Sequence, residues 1–205
     1  ADSDPEFTLA ELERWKKLAA ELHPLVPRAK FHGLNSAASL KWPEYALDRV
    51  RPGLALYGIS PLPEFQKLLR PAMTLKTHIT LVRNVGAGRS ISYGRDFITP
   101  KPMRVATLAM GYADGYPRQA SNRGAQVLVS GRRCPFLGRI TMDQFMIDVS
   151  ALSPDIVSGE EVVLFGSQGD AQISVNEVAA WAGTISWDIF TRLGRRVACV
   201  HLPAG

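Results

Sequence analysis

The residues that most often announce a protein's chemistry are scarce in this sequence. Cysteine occurs twice, at Cys134 and Cys199, and no CxxC pair is present. That argues against a disulfide scaffold and a thiolate metal site. The four histidines (His23, His32, His78, His201) lie far apart in sequence and form no ligand motif. No apolar run reaches the ~18–20 residues that a membrane-spanning helix needs. The first residues hold no charged region leading into an apolar stretch, so no secretory leader is read there and a cytoplasmic location is expected. Charge of one sign is not concentrated. The formal net charge is +5, and the densest basic pairs, Arg132-Arg133 and Arg195-Arg196, are too short for a nucleic-acid stripe. Neither nucleic acid nor membrane is an expected partner; a small molecule is. There is no internal repeat and no low-complexity stretch.

What is present suits a folded enzyme. Of 205 residues, 46% are hydrophobic and 21% charged, enough to bury a core in one or two domains. After a tail over residues 1–7, Thr8 and Glu11 make a capping box. Leu9, Leu12, Trp15, Leu18, Ala19 and Leu22 then recur at helical spacing until Pro24 and Pro27 end the helix. A strand over 29–34, a short helix over 37–40, a helix-like piece over 44–50 and an apolar strand over 53–57 follow in an α/β rhythm. These ~60 residues are too few to close a (β/α)₈ barrel, which takes roughly 250. From Pro71 the rhythm changes. Strands are predicted over 73–85, 105–110, 126–129, 140–149, 162–165 and 197–201, which together suggest a mostly antiparallel β domain. Ser174 and Glu177 form a second capping box, and a further helical piece runs from Trp187 to Leu193 before Gly194. The predicted fold class is α+β in two parts, residues 1–70 and 71–205.

Four segments could carry chemistry. In His32-Gly33-Leu34-Asn35-Ser36 a strand runs into a helix start, where a serine hydroxyl beside free amides suits a phosphate; a plain helix cap is the ordinary alternative. In Arg51-Pro52-Gly53-Leu54 the glycine admits close approach to a ligand and the arginine holds an acceptor; a turn into a buried strand is the alternative. Ser92-Tyr93-Gly94 offers a tyrosine for proton transfer, or for ordinary packing. Gly111-Tyr112-Ala113-Asp114-Gly115-Tyr116-Pro117-Arg118, with Gly138-Arg139-Ile140-Thr141-Met142-Asp143-Gln144, suits a pocket rim or simple hairpins.

Taken in order, FHGLNSAA (31–38), RPGLALYG (51–58), SYG (92–94), GYADGYPR (111–118) and GRITMDQ (138–144) resemble the alanine racemase family of fold-type III pyridoxal-phosphate enzymes. The resemblance runs from about residue 8 onward. It implies the last, incomplete part of a (β/α)₈ barrel followed by a β domain, and a head-to-tail homodimer. It implies pyridoxal 5'-phosphate as cofactor and an amino acid as substrate, with L- and D-alanine interconverted by two bases. Tyr93 would be one base, reaching the partner's site. Ser36, with the backbone at Gly53 and Leu54, would hold the cofactor phosphate. Arg51 would face the ring nitrogen, and Tyr112 would line the substrate side. Met142 would offer its amide to the substrate carboxylate, with Asp143 in support. Three departures accompany the resemblance. None of the seven lysines stands in the context of the family's cofactor lysine, so the isolated chain is expected to be inactive. Trp187 stands where members usually have a phosphate-binding tyrosine, and its indole N–H can still donate. Thr141 replaces a common cysteine. The alternatives are a racemase of the same fold for serine or basic amino acids, and a non-catalytic β module that dimerises. Residues 8–70 are expected to yield to protease before residues 71–205.

Overall fold

A computed structural model describes residues 4–202. The chain divides into two compact units, Ala1–Met73 and Thr74–Gly205.

In the first unit, helix α1 (Pro5–Leu22) starts earlier than the Thr8 box predicts. Asp4 is the cap, its carboxylate accepting from the Phe7 amide at 2.9 Å, and Pro5 supplies a φ already suited to the first turn. Thr8 sits inside the helix and its hydroxyl donates back to the Asp4 carbonyl at 2.9 Å. Of the expected tail, residues 1–3 lie outside the described residues. Helix α2 spans Ser36–Lys41. The two predicted strands are not strands. Residues 29–34 contribute a single parallel bridge, His32 to Arg49. The 53–57 run is a 3₁₀ turn, Leu54–Tyr57, closed by Gly58 at φ 73°. Its apolar residues do not share a buried face: Leu54 is buried while Leu56 and Tyr57 are exposed. The helix expected over 44–50 shrinks to a 3₁₀ turn at Pro43–Tyr45. A small core of Leu34, Ala38 and Trp42, flanked by Leu9, Leu12 and Tyr45, holds these pieces together.

The described residues of the second unit form nine strands: β1 (Leu75–Val85), β2 (Ser90–Ile91), β3 (Phe97–Ile98), β4 (Met103–Leu108), β5 (Gln126–Val129), β6 (Arg132–Leu137), β7 (Phe145–Asp148), β8 (Glu161–Gln168) and β9 (Ala171–Ile173). The large sheet runs β1-β4-β7-β6-β5-β8-β9, and β8 also pairs with β1, so six strands close into a ring. All its pairings are antiparallel. β1 serves two neighbours in turn. Residues 75–78 face β8 and residues 79–85 face β4, with register shifts near Leu75 and Ile79. Such irregularities let a strand bend around a closed sheet. Ile79, Val105, Val127, Ile147 and Leu164 are completely buried. β2 and β3 form a separate two-stranded ladder.

Two strand expectations change here, those over 197–201 and 140–149, and β2, β3, β6 and β9 are strands that the sequence does not announce. β6 is masked by its arginines and Pro135: Cys134 and Leu137 are buried while Arg132 and Arg133 are exposed. Residues 197–201 have no ladder partner among the described residues, and Val200 is exposed. The strand expected over 140–149 begins only at Phe145. Helix α3 (Val175–Ala182) carries the expected box: the Ser174 amide donates to the Glu177 carboxylate at 2.8 Å, and the Glu177 amide returns to the Ser174 hydroxyl at 3.2 Å. Helix α4 spans Ser186–Arg192. No described helix is long and apolar enough to cross a membrane, and the described residues hold no group of three or more potential metal ligands.

Candidate active site

The first unit gathers four of the sequence-selected residues, Ser36, Arg51, Gly53 and Leu54. Asn35, not Ser36, caps α2, its side chain accepting from the Ala38 amide at 3.0 Å. Ser36 is thereby released for another task. Its buried hydroxyl oxygen accepts from the Gly53 amide at 2.9 Å and the Ala55 amide at 3.2 Å. That ties the start of α2 to the 51–55 turn and leaves the hydroxyl proton available to an acceptor. A Cβ built on Gly53 meets nothing within 4 Å, so the ground in front of this turn is open. Leu54 is buried beneath it. The Gly53 and Ala55 amides are engaged by that oxygen, so the Ser36 hydroxyl proton and the Leu54 amide at the start of the turn are the donors that could meet a phosphate group, and to that extent the residues fit that part of pyridoxal phosphate. Arg51 opens the same turn. Its Nη1 donates to the His32 carbonyl at 2.8 Å and lies 3.0 Å from His32 Nδ1. Guanidinium only donates, so Nδ1 accepts and the ring proton is assigned to Nε2.

The second unit packs two turns against each other. In the 3₁₀ turn Tyr112–Asp114, the Tyr112 amide donates to the Thr141 carbonyl at 3.1 Å and the Ala113 amide to the Met142 carbonyl at 2.9 Å. The approach requires Gly111, because a Cβ there would lie 2.1 Å from the Met142 carbonyl oxygen. Asp114 stabilises the turn by accepting from the Gly111 amide at 2.9 Å. Arg196 then bridges the turns, with Nε 3.2 Å from Asp114 and Nη2 2.8 Å from Asp143. The Asp143 hydrogen bond and the nearby Asp114 charge raise the Arg196 pKa. Tyr116 anchors the assembly, fully buried against Phe136 and Phe145 at ring separations of 5.9 and 5.6 Å.

The Tyr93 loop is unusual in its backbone. Ser92 adopts φ 65°, ψ −173°, Gly94 φ 76° and Arg95 φ 55°. The Ser92 conformation is otherwise almost confined to glycine. The Ser92 hydroxyl donates to the Arg139 carbonyl at 2.7 Å, and the Asp96 carboxylate takes both Nε and Nη2 of Arg139. That hydrogen-bonded arginine lowers the Asp96 pKa. Tyr93 itself is 73% exposed.

The structure therefore collects Ser36, Gly53 and Leu54, with Arg51 alongside, in one unit. In the other it joins Tyr112, Met142 and Asp143 through paired turns, and fastens the Tyr93 loop to Arg139, three residues before Met142. Trp187 is half-exposed on α4, whose end meets the first of these turns through the Gly194 amide and the Asp114 carbonyl at 3.1 Å. Asp96, Arg139 and Arg196 were given no role from the sequence. Arg139 lay inside a selected motif, but its partner is 43 residues away.

Comparison with known proteins agrees with both halves. The family model for the alanine racemase C-terminal domain matches residues 72–201, and that for the N-terminal domain matches residues 1–61. The alanine racemase of Halothermothrix orenii is 41% identical over 199 residues, covering 96% of this chain and 52% of that protein. That of Desulforamulus reducens is 46% identical over 174 residues, covering 83% and 46%. Among solved structures, alanine racemase from a D-cycloserine-producing Streptomyces lavendulae superposes with a TM-score of 0.87 at 38% identity, covering 99% of this chain and 53% of that one. The Bacillus anthracis enzyme with bound L-Ala-P gives 0.84 at 36% identity, covering 96% and 51%. The chain spans about half the length of the curated relatives it matches. Its first unit corresponds to part of the family's barrel and its second to the antiparallel β domain; the chain belongs to the alanine racemase family.

Proposed function

We propose that this chain supplies one half of the machinery of a pyridoxal-phosphate-dependent alanine racemase. Ser36, with the backbone around Gly53 and Leu54, would hold the cofactor phosphate. The Arg51 guanidinium would sit at the ring nitrogen, where its positive charge would disfavour protonation of that nitrogen. Bound there, pyridoxal phosphate would supply the electron sink that makes the substrate Cα–H acidic. Tyr93 would take or return that proton through its phenolic oxygen on one face. The Met142 amide would orient the substrate carboxylate, with Asp143 and Arg196 holding its turn in place. Tyr112 and Trp187 would line the approach. A homodimer would let Tyr93 serve its partner's site.

One observation carries this reading: a large aromatic residue stands 73% exposed on backbone that only a fixed surround can sustain. Strain of that kind clusters at functional sites. The test co-expresses this chain with the N-terminal half of the Halothermothrix orenii alanine racemase and follows L- to D-alanine conversion with added pyridoxal phosphate. The chain alone is expected to give no conversion above free cofactor, because no lysine here matches the family's cofactor context. The reassembled pair is expected to convert, and Tyr93→Phe to slow it by about 100-fold or more, the usual worth of a positioned general base. Unchanged conversion in Tyr93→Phe would remove Tyr93 from the mechanism. Turnover by the chain alone would show that a lysine already present serves the cofactor.

A further inference from the structure

We propose that the Asp96–Arg139 ion pair is the positioning device of the Tyr93 loop, holding Ser92, Gly94 and Arg95 in left-handed backbone so that the phenol stands at a fixed place. The catalytic part of this inference rests on Tyr93 being a base; the structural part does not.

Three observations converge on Arg139. Both ends of the loop finish on it: its carbonyl takes the Ser92 hydroxyl at 2.7 Å, and its guanidinium grips Asp96 with two nitrogens. Between those ends, the guanidinium lies directly beneath Gly94, where a Cβ would come within 2.7 Å of Cζ. The loop is thus wrapped around one side chain. Outside the loop, Ile91 is buried among Met103, Val105, Leu137 and Met146, with Phe97 packed on the same cluster. These anchors fix where the loop leaves and returns, but they do not set the conformation between. Residues 92–95 have no buried side chain to do so. The remaining restraint is polar and centred on Asp96, which also accepts from Asn122 at 3.3 Å and feels the charge of Arg118. An isolated surface ion pair does little. A two-pronged arginine–carboxylate contact with its partner fixed on both sides does more.

Arg139 also precedes Met142 in a segment that turns at Gly138 (φ 72°). The clamp therefore references Tyr93 to the turn assigned to the substrate carboxylate. Asp96 and Arg139 touch neither substrate nor cofactor in this scheme; they act through Tyr93.

The test is amide hydrogen exchange on the 205-residue chain carrying Asp96→Asn. Amides of residues 92–96 are expected to exchange about five- to tenfold faster, while β4 and β7 keep their protection, because the opening is local. Asp96→Glu, which keeps the charge, is expected to recover most of the protection. Unchanged exchange across 92–96 in Asp96→Asn overturns the clamp. In the reassembled enzyme, Asp96→Asn is expected to lower kcat about tenfold with KM within about twofold, since misplacing a base costs the chemical step. A loop that loosens while kcat holds overturns the positioning role and leaves Tyr93 as the base. Full conversion by Tyr93→Phe overturns the base assignment, and with it the catalytic part here, whatever the exchange shows.

Discussion

The two units reach their folded states by different means. Among the described residues, seven buried apolar side chains lie in the first unit and thirty-three in the second. None of the seven is completely covered, whereas Val105, Leu128, Ile147 and Leu164 have no exposure at all. The first unit also leaves Phe7, Leu18, Leu25, Leu56 and Leu68 open to water. In the second unit large exposed apolar residues are also present, but four of them are Tyr93, Tyr112, Met142 and Trp187, each selected from the sequence as a site residue. Four of the ten large exposed apolar residues described in the second unit are thus candidate-site residues, while none of those described in the first unit is. A ring of ladders satisfies its own backbone. One 18-residue helix, one six-residue helix, 3₁₀ turns and a single parallel bridge do not reach that self-sufficiency.

The largest expected effect is in proteolysis. Trypsin should remove residues 8–73 about tenfold faster than it cuts the ring strands, because cleavage follows local opening. Equal rates by mass spectrometry would erase the contrast. Next come core substitutions. Ile147→Ala should cost about 2–5 kcal/mol in denaturant unfolding, since a fully enclosed site relaxes little. Leu34→Ala should cost about 1–2 kcal/mol, because half-buried Leu9, Leu12 and Tyr45 can close on the gap. Similar losses at both positions would mean that the first core is as rigid as the second. The smallest effect concerns acid. Burial pushes the Glu177 carboxyl up, but hydrogen bonds from Arg133 and Ser174 and the Arg133 charge outweigh it and leave the pKa lowered. With a lowered folded pKa, the contribution is full above the unfolded value and fades as pH falls through the folded value. Glu177→Gln should therefore melt slightly below wild type at pH 7, with the gap closing in acid. A gap independent of pH would assign the effect to hydrogen bonding rather than charge.

The sequence was most legible where one residue's side chain answers its own neighbourhood. The Ser174–Glu177 box starts α3 as read, and the helical spacing of α1 is real although its cap is Asp4. It was least legible where the partner is remote. The 53–57 run looks like a strand because hydrophobicity alone does not say whether a ladder partner exists. β6 gives no strand signal because two arginines and Pro135 leave it without apolar alternation, and its two buried residues, Cys134 and Leu137, are three apart. At the site, glycine-rich spacing disclosed Gly111 and Tyr112. The ion pairs of Asp96 with Arg139, and of Asp114 and Asp143 with Arg196, join residues with no periodic relation, so only the folded chain shows them.

The ring's closing contact has a consequence for synthesis. The pairings Leu75 with Phe165 and His78 with Glu161 join the first strand to the eighth. While a ribosome delivers this chain, β1, β4, β7, β6 and β5 can already lie side by side, but β1 and β5 each wait with an unpaired flank. Only when residues 161–168 emerge can one strand cover both, since β8 pairs with β1 and β5 alike. The nascent domain is thus most open to mispairing with neighbouring chains shortly before its last long strand leaves the exit tunnel.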